Sequence, residues 1–163
     1  MVRKIYVKQS VVIDLPTRDI FTYMSNLENL CKWSGIVTSV KTASPSAMCI
    51  GMRVHSKLRL LGKWSEMTFE VVEYELCRYI TLKSISSVAP CLVYYEFMPL
   101  ESGGTAITQD TEITIIGGFA GMTERVVVNA IQRHLEHDLL TLKDVLETSN
   151  VSQDYKNTVY TNK

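Results

Sequence analysis

Two periodicities divide the chain. Up to Ile116, apolar and polar residues alternate in short runs, as expected of strands with one buried and one solvated face. After that the spacing changes. Val127, Val128, Ile131, Leu135, Leu139, Leu142, Val145 and Leu146 recur at three- and four-residue steps, so the stretch Gly117–Glu147 reads as a long helix with one broad apolar stripe. Gly117, Gly118 and Gly121 mark a flexible entry that would let the helix shift when a ligand enters. Asn150 and Ser152 mark its exit.

The alternating region resolves into seven strands. Lys4–Asp14 is the first, stopped by Leu15-Pro16-Thr17. A short helix starts there with Thr17 as its expected cap, Asp19 in its first turn, and Ile20, Phe21, Met24 and Leu27 on its apolar face. A second short helix covers Leu27–Trp33. Ile36–Ala43 is the next strand, followed by a Ser44-Pro45-Ser46 loop. In Met52–Leu61, Val54, Ser56, Leu58 and Leu60 oppose Arg53, His55, Lys57 and Arg59. After a Gly62-Lys63 turn, Trp64–Tyr74 sets Met67, Phe69 and Val71 against Glu66, Thr68 and Glu70. Opposite charges therefore meet on one solvated hairpin face. Arg78–Ser86, Leu92–Met98 and Thr105–Ile116 complete the set, the last two joined by Ser102-Gly103-Gly104. The prediction is an α+β fold: a curved antiparallel sheet of about seven strands gripping a long C-terminal helix, with two short helices after the first strand. Residues 1–150 form a single domain, and 151–163 a loose polar tail.

Composition narrows the function. Seventeen basic and seventeen acidic residues cancel, with no basic stripe, which argues against nucleic-acid binding. No apolar run approaches a membrane span and no signal peptide is evident. Cys31, Cys49, Cys77 and Cys91 are irregularly spaced, so reduced thiols in a cytoplasmic protein are expected. No cofactor is called for. Nor is a metal, since only His134 and Asp138 approach ligand spacing. The oligomeric state is left open.

The segments DLPTRDIFTYMSNLENLCKW, FEVVEYELCRYITLKS, GGTAIT and HLEHDLLTLKDVLE, in that order, resemble the START/Bet v 1-like (SRPBCC) superfamily, and within it the polyketide cyclase/dehydrase-like group. The resemblance spans Tyr6–Glu147. It implies the helix-grip fold, with an apolar cavity between sheet and long helix that takes lipids, polyketides or other hydrophobic small molecules. In some members it implies catalysis of ring closure or dehydration.

For this chain the resemblance makes Tyr95, within YYEF, and Gln109, within TQD, cavity-facing positions. Strand alternation agrees, because Gln109 shares a face with Ile107, Thr111 and Ile113. A glutamine on an apolar face must find partners or water, so it either orients a ligand or is satisfied near the sheet end. Leu58, Met67, Phe69, Leu82, Phe97, Val128, Ile131 and Leu135 would supply the apolar wall. A void of drug-sized volume, roughly 300 Å³ or more, is expected.

The competing reading is a polyketide cyclase/aromatase or dehydratase. Its acid/base candidates are Tyr95, Gln109, and a His134–Asp138 pair one helical turn apart. For such cyclases the resemblance implies cavity arginines that polarise a ketone, and the positions of this chain that match them are Val71 and Ser84. Helix geometry favours instead a flank pair of His134 and Asp138 at the sheet edge. A third reading, a protein-interaction module, needs an apolar outer sheet face, and the charged hairpin argues against it.

Overall fold

The computed structural model describes residues 2–42, 47–86, 89–116 and 122–160. Seven strands form one fully antiparallel sheet: β1 (Val2–Ile13), β2 (Val37–Thr42), β3 (Arg53–Leu60), β4 (Lys63–Glu75), β5 (Tyr79–Ser86), β6 (Cys91–Pro99) and β7 (Thr105–Ile116). Their spatial order is β1-β7-β6-β5-β4-β3-β2, so β1, first in sequence, pairs with the last strand. Helices α1 (Thr17–Ser25) and α2 (Leu30–Trp33), with a 3₁₀ turn at Leu27–Asn29 between them, follow β1. The long helix α3 (Glu124–Tyr160) closes the fold. This is the expected helix-grip architecture.

Local chemistry explains the elements. Leu61 and Gly62 both take positive φ (50° and 76°), making the tight β3–β4 turn whose twist suits a hairpin. Arg53 then lies opposite Glu70 and bonds it at 2.9 Å, and Lys57 lies opposite Glu66, as the alternation required. The outer face is less uniformly charged further along the sheet. Tyr6 and Leu92 are exposed among Lys8, Asp110 and Glu112.

Two boundaries differ from expectation. Thr17 is the first helical residue of α1 and Pro16 precedes it, so no side chain caps the helix. The Thr17 hydroxyl instead meets the Thr105 hydroxyl at 2.9 Å, a long-range contact invisible to local spacing. Helix α3 begins at Glu124 and continues through Asn150 and Ser152 to Tyr160. No glycine or proline follows Thr148 to stop it. The glycine entry at Gly117, Gly118 and Gly121 and the Ser44-Pro45-Ser46 loop lie outside the described residues.

Two apolar clusters meet under α3. The larger joins Ile13, Ile20, Phe21, Val54, Ile80, Phe97, Ile107, Leu139 and Leu142. The smaller joins Ile5, Val7, Ile113, Ile115, Val127, Ile131 and Leu135. The stripe of α3 thus serves both, its first turns covering one cluster and its later turns the other. The buried position Asp138 falls between them.

Candidate functional site

A cavity of about 160 Å³ lies at this seam, between the concave face of the sheet and α3. Strand alternation aims Leu58 of β3, Met67 and Phe69 of β4, Leu82 of β5, Tyr95 of β6 and Gln109 of β7 into it, and α3 adds Ile131, Leu135 and Asp138. Eight of the ten anticipated wall residues therefore line it. Phe97 does not. It is turned into the larger cluster, where its ring meets Phe21 edge-on at 5.2 Å. Val128 is only partly buried and packs at the margin of the smaller cluster, because Val127 takes the inward position. The volume is also about half the roughly 300 Å³ expected of a drug-sized site. A void of about 150 Å³ accepts a benzene ring, so the cavity as it stands fits one ring rather than a fused polyketide.

The polar lining is sparse and specific. Gln109 is 3% exposed, and among the described residues its Oε1 has no hydrogen-bond partner. Thr111, two residues on and on the same face, is equally buried with an unpartnered hydroxyl. Tyr95 stands directly opposite Gln109 across the β6–β7 ladder, and its ring lies edge-on to Trp33 at 6.1 Å. Burial, with the charge of Asp138 second, drives the phenol far above its ordinary range, so Tyr95 stays protonated. Leaving Gln109 unpaired costs stability. Gln109→Leu is accordingly expected to stabilise the empty protein by about 1 kcal/mol in urea denaturation, while removing a polar contact from the cavity.

Asp138 is 4% exposed. Its carboxylate accepts from the Gly35 amide at 2.7 Å and from the Ser34 hydroxyl at 3.4 Å, fastening α3 to the turn between α2 and β2. Gly35 is required by closeness: a Cβ there would lie 2.7 Å from His134 Nδ1 and 3.3 Å from Asp138 Oδ1. Desolvation raises the Asp138 pKa from 3.8 to about 6, against the lowering effects of Gly35, Ser34 and His137. The anticipated His134–Asp138 pair is not formed. Among the described residues no hydrogen bond or ion pair joins the two, because Asp138 is turned to the loop. His134 is half-buried outside the cavity wall. Ser34 and Gly35 are the residues that sequence reasoning missed, and nothing local to them signals a partner some hundred residues away.

Other candidates resolve simply. Val71 and Ser84 do not border the cavity. Val71 is wholly buried, and the Ser84 hydroxyl accepts from the Cys91 amide at 2.8 Å. Burial raises the Cys91 thiol, so it is a poor nucleophile. His55 sits on the solvated face bonded to Thr68. Trp64 is exposed, with the Arg59 guanidinium over its ring.

Residues 4–147 match the family described as polyketide cyclase / dehydrase and lipid transport. The chain belongs to that family. No curated protein matches the sequence significantly. Solved structures share the architecture. TTHA0849 from Thermus thermophilus aligns over 89% of this chain and 99% of its own, with TM-score 0.74 and 17% identity. A START superfamily protein from Mycobacterium smegmatis aligns over 88% and 97%, with TM-score 0.72 and 13% identity. The ZhuI aromatase/cyclase from Streptomyces sp. R1128 aligns over 87% and 90%, with TM-score 0.69 and 11% identity. At these identities the likeness establishes the helix-grip fold. Among the described residues no helix is long and apolar enough to cross a membrane.

Proposed function

We propose that this protein binds a small hydrophobic molecule in the cavity between sheet and α3. The observation that carries the reading is Gln109, a side chain 3% exposed whose carbonyl oxygen is unpartnered among the described residues, set in a largely apolar wall. Buried polar groups are normally satisfied, and a ligand in the cavity would satisfy this one. The family description, which spans both cyclases and lipid transport, is compatible with it. The volume favours one ring or a short chain over a long acyl tail.

A second reading, catalysis of cyclisation or dehydration, draws on Asp138. A buried carboxyl that titrates at about 6 has the pKa of a general acid or base. Against it, the sole cation on the described lining is Lys63, which is exposed on the hairpin, so no interior positive charge is available to stabilise an enolate. Binding is the better supported reading.

Native mass spectrometry of the purified protein, compared with its denatured mass, tests the proposal. A co-purifying molecule lost on denaturation is the expected result. A bare chain that also fails to take up single-ring probes would remove the proposal's basis.

A further inference from the structure

Apart from the Trp33 indole N–H, the polar side chains in the interior of this cavity can accept a hydrogen bond, and among the described residues none of them carries positive charge. Among the described residues, Gln109 Oε1 and the Thr111 hydroxyl are unpartnered. Asp138 forms no ion pair among the described residues, although it is 4% exposed. An amide can turn either end toward a guest, so Gln109 alone does not set the sign of the site. A carboxylate cannot turn; ionised, it only accepts. Two aromatic rings, Trp33 and Tyr95, border the same space, and Tyr95 connects the two acceptors: it lies opposite Gln109 on the sheet and within the electrostatic reach of Asp138. Lys63 stands at the hairpin in solvent, where its charge is screened.

A buried carboxylate without a counter-ion is unfavourable, and a cation entering the cavity relieves it. Aromatic faces add attraction for that cation. Building on the cavity-binding reading above, we propose that the ligand is a primary amine carrying one small apolar group, a single ring or a short chain, with its ammonium placed between Asp138 and Gln109 and its apolar part against Leu58, Phe69 and Leu135. The ammonium brings three donors, matching the acceptors of Asp138, Gln109 and Thr111. This distinguishes the site from one for neutral aromatics, which would use Gln109 but leave Asp138 unpaired.

The test is a set of near-isosteric probes, toluene, benzyl alcohol, benzylamine and benzoate, titrated calorimetrically into the full chain at about pH 8, where Asp138 is ionised. Benzylamine is expected to bind about tenfold or more tighter than toluene, a charge-assisted contact being worth that much, and benzoate weakest. Asp138→Asn, which retains an acceptor for the Gly35 amide, should bring benzylamine to the level of benzyl alcohol. Gln109→Leu should weaken benzylamine relative to toluene when both are measured in that same variant. If toluene binds and benzylamine binds no tighter, the amine assignment is wrong while the cavity reading stands. If benzoate binds best, Lys63 governs the site and the assignment is likewise overturned. If no probe binds, the cavity reading falls with it.

Discussion

Leu142→Ala is expected to lower the unfolding free energy by about 3–4 kcal/mol, within the range for emptying a well-packed leucine site. Leu142 is 0% exposed and sits in the larger cluster beside Leu139, at 1%. The surroundings are held in place, so they collapse poorly into the space. Lys143 donates to the Val12 carbonyl at 2.9 Å and Glu147 accepts from the Asp14 amide at 3.1 Å, fastening this part of α3 to β1. A urea titration should show the midpoint falling with an unchanged slope. Leu142 is absent from the cavity wall but sits one helical turn from Asp138, so its truncation should change probe affinity in the folded variant much less than it changes stability. A loss below about 1 kcal/mol would mean that α3 is not clamped here.

The second large effect is in pH dependence. Unfolded, Asp138 titrates near 3.8; folded, near 6. Between those values the native state holds a proton that the unfolded chain releases, so stability falls as pH rises through about 4 to 6 and the full cost persists above. The gap corresponds to about 3 kcal/mol. Asp138→Asn removes it while keeping an oxygen for Gly35. The variant should match the parent near pH 4 and exceed it by up to about 3 kcal/mol near pH 7. Other carboxylates give both proteins the same background, so the difference between their urea curves isolates Asp138. Parallel curves across this range would show that Asp138 titrates normally in the native state. Such a stability gain on removing a buried charge is the mark of a residue retained for something other than folding.

The fold was largely legible from the chain, because strand alternation and helix periodicity are local consequences of burying one face. Val54, Leu58, Met67 and Phe69 were placed inward from spacing two alone, and Ile131, Leu135, Leu139 and Leu142 from helical steps. Gln109 stood out as a polar residue on an apolar face and Asp138 as half of a one-turn pair, and both are buried at the cavity. Periodicity could not decide between neighbours on a broad stripe, so Val127 rather than Val128 faces in; nor could it say how far along a strand the void extends, so Phe97 went to the core. His134 and Asp138 look paired on a helical wheel, yet only the folded chain brings the Gly35 amide within 2.7 Å of that carboxylate. The volume of the void, and the lack of partners for Gln109 and Thr111, depend on how two layers meet across the whole molecule. Burial pattern is written residue by residue, whereas hydrogen-bond satisfaction and empty space belong to pairs of segments distant in the chain, and only tertiary structure settles them.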